Sequence, residues 1–426
     1  MLRAPRGTND ILPPESHKWA YIEALLRRLS KIYNFEEIRT PMFEHTELFA
    51  RAVGEATDIV RKEMYTFKDK GGRDLTLRPE GTAPVARAFL ERGLAGGPLP
   101  RKLFYLGSMF RYEKPQAGRY REFVQYGVEI LGSPSAYSDA EVILLGVRIA
   151  EELGLTGTTL YINTIGCPEC RKACREDFLK HVSDRAGELC QDCRERLEVN
   201  PLRILDCKNQ GCREAVADVP LMQDHLCDDC RRHWAALQEI LTSLGIEYAV
   251  DPTLVRGLDY YTKTVFELKW PPLGAQDTVI AGGRYDGLVE ELGGKPCPGV
   301  GFAAGVERLI LAAEKGERPL MPEVSIDCFV LFPDSEDRRI PEAGFKLLVD
   351  LRRAGISGDF DALGRSVKAQ MKHADRLNAR YVAILGEEEV RQGLVTIRSM
   401  EHGWQKQVPT GQVVDFLKEE VSGGSS

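Results

Sequence analysis

The chain has 426 residues, 43% of them hydrophobic and 28% charged, which is too long for one simple core and predicts two or three globular domains. No apolar run approaches a membrane span, and Met1 to Thr8 lack the apolar stretch of a secretory signal, so a cytoplasmic protein without a membrane partner is expected. The formal net charge of −7 speaks against a nucleic-acid binder that uses its whole surface, while leaving room for a local basic groove.

Trp19, Ile22, Leu25, Leu26, Leu29 and Ile32 recur at helical spacing and predict an amphipathic helix, followed by a strand-like Phe35 to Thr40 that runs into Pro41. Tyr65 to Phe67 and Leu75 to Leu77 flank Gly71-Gly72 and predict a hairpin. Next comes Arg78-Pro79-Glu80-Gly81-Thr82, where Thr82 is expected to cap a helix through Val85, Ala88, Phe89 and Leu90, with Pro84 in its first turn.

Phe110-Arg111-Tyr112-Glu113 and the strand from Arg121 to Ile130 form two arginine-bearing strand ends joined by a polar loop. Alternation puts Phe123, Gln125, Gly127 and Glu129 on one face, and Val124, Tyr126, Val128 and Ile130 on the other. The second face reads as core and the first as a binding floor. Guanidinium groups fork onto phosphate oxygens, so the pattern suits a nucleotide lying on an extended sheet. Neither a Walker loop nor a strand–helix G-x-G-x-x-G is found, which leaves phosphate binding to arginines. Hairpins outnumber repeating strand–helix units through about residue 165, so the expected fold is α+β with a mostly antiparallel sheet.

Nine of the 11 cysteines fall between Cys167 and Cys230. A disulfide framework is out of place in a large chain without a secretion signal, so thiolate metal ligation is favoured. Cys167/Cys170, Cys190/Cys193 and Cys227/Cys230 are C-x-x-C knuckles, and the first two have the spacing of one four-thiolate zinc site. Cys207 and Cys212 make a looser fourth pair. Two four-thiolate sites, paired sequentially or interleaved, would leave Cys174 as the spare, and at least one structural Zn²⁺ is expected.

The sheet pattern resumes at Leu254 to Tyr261 and Val265 to Leu268, then at Val279 to Asp286 and Val300 to Ile310, where a glycine-punctuated strand turns into a helix with Arg308 in its first turn. After a boundary near Lys315 to Glu323, strand and helix alternate through Cys328 to Phe332, a helix to Ala354, a helix over Val367 to Leu377, Tyr381 to Gly386 and Leu394 to Ile397. That predicts a small α/β domain over 325–420, with a disordered tail at 421–426. Residues 1–320 make the first domain, carrying the cysteine-rich insertion at 166–250.

Arg39-Thr40-Pro41, Phe110 to Glu129 and Gly299 to Ile310 resemble the three motifs of class II aminoacyl-tRNA synthetases. Leu254 to Tyr261 and Ala281 to Asp286 resemble signatures of the histidyl-tRNA synthetase family, and the likeness spans nearly the whole chain. The resemblance implies activation of L-histidine with ATP and Mg²⁺ to histidyl-adenylate and pyrophosphate, then transfer to the 3′ end of histidine tRNA. It implies a homodimer built through the Pro41 motif, and an anticodon-binding role for the C-terminal domain. Arg256 and Arg111 would be catalytic, Arg256 taking the place beside the α-phosphate where related enzymes hold a metal. Histidine would be held by Glu80, Gly81, Thr82, Arg111, Gln125, Glu129, Arg256, Tyr260 and Tyr261. ATP would be held by Arg111, Glu113, Arg119, Phe123 and Arg308, and the tRNA acceptor end would meet Gln116 and Arg121. Two other readings are a silent paralogue serving as regulatory subunit of a phosphoribosyltransferase, expected to lack the C-terminal domain, and a zinc-ribbon RNA-binding protein, which leaves the arginine floor unexplained.

Overall fold

Strand alternation between Phe123 and Ile130 places the centre of the larger unit, because one face of that strand enters the core and the other lines a cavity. The fold is described from a computed structural model over residues 2–54, 57, 59–114, 118–199, 201–205, 207, 209–255, 260–274, 276–316, 325–333 and 335–423. The chain divides into two units, Met1–Leu320 and Met321–Ser426. No helix among the described residues is long and apolar enough to cross a membrane.

The strands of the first unit are β1 (Glu36–Glu37), β2 (Phe43–His45), β3 (Tyr65–Lys68), β4 (Asp74–Leu77), β5 (Arg101–Phe110), β6 (Glu122–Leu131), β7 (Thr159–Thr164), β8 (Ala249–Val250), β9 (Thr262–Lys269), β10 (Thr278–Arg284) and β11 (Gly299–Gly305). Eight of them form one sheet in the order β1-β5-β6-β11-β10-β9-β7-β8, antiparallel except for the two edge pairs β1/β5 and β7/β8. A small second sheet, β2-β4-β3, contains the expected hairpin. Of the strand-like run Phe35 to Thr40, only Glu36 and Glu37 join a ladder, with the Ile38 N–H donating once more to Phe104 O at 2.8 Å.

The first helix, Glu15–Ile32, buries Ile22, Leu25, Leu26 and Leu29 as its spacing requires, whereas Ile32 is left exposed at its end. Tyr126, Val128 and Ile130 of β6 pack in the same core, together with Val142, Ile143 and Leu145 of the Ala136–Glu152 helix. That helix is tied to the sheet by a buried ion pair. Arg284 at the end of β10 donates to Asp139, to the Ser133 carbonyl at 2.8 Å and to the Ser135 carbonyl at 3.1 Å, and both charged side chains are fully buried.

The second unit has β12 (Cys328–Leu331), β13 (Gly358–Phe360), β14 (Tyr381–Ile384), β15 (Leu394–Ser399) and β16 (Gln405–Pro409), in the order β13-β12-β14-β15-β16. β12 lies between two parallel neighbours and is apolar throughout because both of its faces are covered. Cys328 and Val330 pack with Leu348 and Leu417, while Phe329 and Leu331 pack with Ala374 and Val382. The last helix runs Val413–Gly423, so residues 421–423, expected as tail, are its final turn; 424–426 lie outside the described residues. Partly buried Val421 packing on the core holds that turn in place.

Candidate functional site

The cavity sits on the β6 floor. It has a volume of about 540 Å³ and is lined by residues from the Glu80 loop, β6, β9, β10, β11 and the segment around Arg111 to Tyr120. Of the residues picked from the sequence, Glu80, Thr82, Arg111, Glu113, Arg119, Phe123, Gln125, Tyr260, Tyr261 and Arg308 all line this one space. Arg256 and Gln116 lie outside the described residues. Arg121 is not in the lining: its guanidinium stacks on Tyr112 at 4.0 Å and its backbone N–H donates to Gly7 O at 2.7 Å.

At one end Glu80 lines the cavity, and Glu129, which is fully buried and outside the lining, lies behind Thr82, Tyr285 and Gly301. The Thr82–Glu91 helix is capped at Gly81, not at Thr82. Glu80, one residue earlier, accepts from the backbone N–H groups of Thr82 at 2.7 Å and Ala83 at 2.9 Å, which satisfies the helix start with a negative charge where the helix dipole favours one. The Thr82 hydroxyl is thereby released to donate to Glu129 Oε1 at 2.7 Å. The other Glu129 oxygen accepts from the Tyr285 hydroxyl. Burial raises the pKa of Glu80, and raises that of Glu129 to about 8. A Cβ on Gly301 of β11 would overlap Glu129 Oε2, so glycine there makes room for the carboxylate. Gly81 and Gly127 do the same for the Tyr105 ring, whose hydroxyl donates to Gln125 Oε1 at 3.2 Å.

The other end is cationic. Arg111 donates to Pro79 O at 2.8 Å and lies over the Phe123 ring at 5.4 Å. Arg119 pairs with Glu113 at 3.1 Å. Arg308 is anchored on the carbonyls of Gln276 at 2.9 Å and Thr278 at 3.2 Å, and its pKa is lowered first by burial and then by neighbouring Arg119. Two such guanidinium groups held close invite an anion between them.

Tyr285 and Glu307 are among the cavity residues that sequence reasoning did not pick. Tyr285 stood inside the run Ala281 to Asp286 without a role, since it follows the end of β10 and alternation does not assign its direction. Glu307 accepts from the Val124 N–H at 2.9 Å, and burial raises its pKa to about 7; its second oxygen is buried without a partner. Adjacent Arg308 was read as the chemistry-bearing residue, and no local pattern marks the glutamate as buried.

Eight of the cysteines form two four-cysteine groups that could each hold a metal ion, Cys167/Cys170/Cys227/Cys230 and Cys190/Cys193/Cys207/Cys212, with the sulfur atoms of each within 4.8 Å of one another. The pairing is neither sequential nor interleaved but nested, the second group lying inside the loop closed by the first. The Pro168–Val182 and Asp228–Ser243 helices start at the two outer knuckles and bring them together, so the first two knuckles along the chain end in different groups. Backbone N–H of Cys230 lowers the Cys227 thiol to about 7, while burial raises Cys170 and Cys212. Cys174 is in neither group; burial raises its pKa to about 11.

A family model described as histidyl-tRNA synthetase matches residues 7–309, and one described as anticodon binding domain matches residues 327–420. A protein named histidine–tRNA ligase from Halothermothrix orenii is 52% identical over 420 residues, covering 99% of this chain and all of that protein. One of the same name from Moorella thermoacetica is 51% identical over 421 residues, covering 99% of both. The solved structure of apo histidyl-tRNA synthetase from S. aureus superposes with a TM-score of 0.83 at 40% identity, covering 98% of this chain and 100% of that one.

Proposed function

This chain belongs to the histidyl-tRNA synthetase family, and from that premise we propose how its residues divide the work of a histidine–tRNA ligase. The enzyme activates L-histidine with ATP, releasing pyrophosphate, and passes the histidyl group to the 3′ end of histidine tRNA. The observation that carries the reading is the single cavity with buried carboxylates at one end and juxtaposed arginines at the other.

Histidine lies at the carboxylate end. Its α-ammonium donates to Glu80, the Thr82 hydroxyl and Gln125, and its imidazole meets Glu129 and Tyr261, with Tyr260 packed on Tyr261 at 4.8 Å between ring centroids. Tyr285 holds Glu129 in place. Arg111 bridges the substrate carboxylate and the α-phosphate, Phe123 stacks on adenine, and Glu113 accepts from the adenine amino group. Arg119 and Arg308 take the distal phosphates, and binding replaces the Arg119–Glu113 pair with an Arg119–phosphate pair. Arg256, by resemblance, completes the site as a fixed cation on the α-phosphate during in-line attack by the histidine carboxylate. Mg²⁺ carried with ATP supplies further charge neutralisation, and the carboxylates near Arg308, Glu113 and Asp277, are the hard oxygen donors that suit it.

Gln116 and Arg121 are assigned to the tRNA acceptor end, and the second unit to the anticodon. The enzyme acts as a cytoplasmic homodimer. The dimer reading is supported by exposed Met42, Phe43 and Phe67 beside Pro41, where Arg78 pins the segment by donating to Thr40 O at 2.9 Å and Ser108 O at 2.9 Å.

Each four-thiolate group fits one structural Zn²⁺. A tetrahedral ion with ligands at about 2.3 Å sets its sulfurs roughly 3.8 Å apart, inside the observed clustering, and the cation offsets the cost of burying the thiolates. Elemental analysis of protein purified under reducing, non-chelating conditions should give two zinc ions per chain.

The test of the activity is ATP–pyrophosphate exchange, expected to require L-histidine and to be unmoved by other amino acids. Exchange without histidine dependence would overturn the reading.

A further inference from the structure

The outer four-cysteine group sits at the neck of the insertion, and the residues leading into its first knuckle and a residue inside its second both touch the same short stretch of β9. Beside the first knuckle, Lys263 N–H donates to Gly166 O and Ile165 N–H donates to Lys263 O, each at 2.7 Å. From inside the second knuckle, Asp229 pairs with the Lys263 ammonium at 2.9 Å. One turn further on, His233 Nε2 lies 3.3 Å from the Thr264 hydroxyl and 3.2 Å from Asp139.

The stretch so held is irregular. The β9/β10 ladder pairs Val265 with Gly283 and then Thr262 with Arg284, so Lys263 and Thr264 bulge out. Lys263 has φ of +48°, a left-handed conformation that a lysine adopts only when its surroundings impose it. Immediately before the bulge stand Tyr260 and Tyr261. The Tyr261 ring lies where a Cβ on Gly283 would be, and Tyr260 packs edge-on to Tyr285 at 5.7 Å. The direction in which the bulge leaves the sheet therefore sets the tyrosine wall of the cavity.

We propose that the outer four-cysteine site is a positioning site for histidine: loaded with zinc, it clasps the Lys263–Thr264 bulge and thereby orients Tyr260 and Tyr261. The inner site, with no such contact to β9 among the described residues, stabilises the insertion alone. The proposal rests on the zinc and histidine assignments made above, and its sharpest arm changes neither set of ligands.

Asp229→Asn keeps all the thiols but weakens the clasp, and Lys263→Met removes it from the other side. Both variants should retain the wild-type zinc content and ATP affinity while binding histidine roughly two- to fivefold more weakly by calorimetry, with the double variant no weaker than the weaker single. Cys212→Ser should lose one zinc without moving the histidine Kd; Cys227→Ser should lose one zinc and move it further than Asp229→Asn does. The clasp is overturned if Asp229→Asn and Lys263→Met both bind histidine as the wild type does, or if histidine and ATP affinity fall together. A wild-type chain free of zinc would overturn the zinc-loaded clasp together with the metal assignment, whereas unchanged histidine affinity in both side-chain variants of a zinc-replete chain would overturn the clasp alone.

Discussion

On the proposed reading, Glu129 is the residue on which binding and stability pull in opposite directions. Its folded pKa is raised to about 8 from an ordinary 4.5 by burial, so between those values the folded chain keeps a proton that the unfolded chain has released. Stability must then fall as pH rises from about 4.5 to about 8, and above that range the full cost of a buried charge is present. Glu129→Gln should accordingly raise the melting temperature at pH 8.5, by a stabilisation on the order of a few kcal/mol, and the difference should shrink as the pH approaches 4.5. On the proposed reading, in which Glu129 meets the imidazole, the same change should also lower histidine-dependent exchange by about 10²-fold or more. Arg256→His is the complementary case: an electrophilic role predicts a large fall in adenylation rate with little change in histidine affinity, and equal effects on both would contradict that role.

At the scale of elements, alternation along β6 was readable because a strand's side-chain period is two, so its polar face and its core face separated without any knowledge of partners. The cap of the Thr82–Glu91 helix was not readable in the same way. Threonine at a helix start is an ordinary cap, and only the folded chain brings Glu129 near enough to recruit its hydroxyl while Glu80 replaces it. Arg284 is similar: it stood in the run Ala281 to Asp286 without a role, and only the folded chain shows it joining β10 to the Ala136–Glu152 helix through Asp139. Asp139→Asn would leave that guanidinium buried and under-compensated, which should cost roughly 3–5 kcal/mol in denaturant unfolding. A loss under 1 kcal/mol would mean that Asp286, 3.0 Å away, suffices as its partner.

At the scale of the whole molecule, each unit has its own apolar core, and every lining residue of the candidate site belongs to the first. A fragment ending at residue 316 should therefore keep histidine-dependent pyrophosphate exchange and lose most of its capacity to charge tRNA; loss of both would assign the second unit a part in adenylation. The division falls inside the Lys315 to Glu323 stretch, where core-forming periodicity is interrupted in the sequence. The cysteine pairing was not readable, since spacing along the chain is blind to which helix starts meet in space. Nesting also carries a consequence for biosynthesis. On a chain that emerges from its N-terminus, Cys212 completes the inner group before Cys227 and Cys230 have been made, and closing it shortens the loop that the outer group must still close. The order of synthesis therefore favours closing the inner group first, and on the proposed reading the clasp on β9 would be the last part to be fastened.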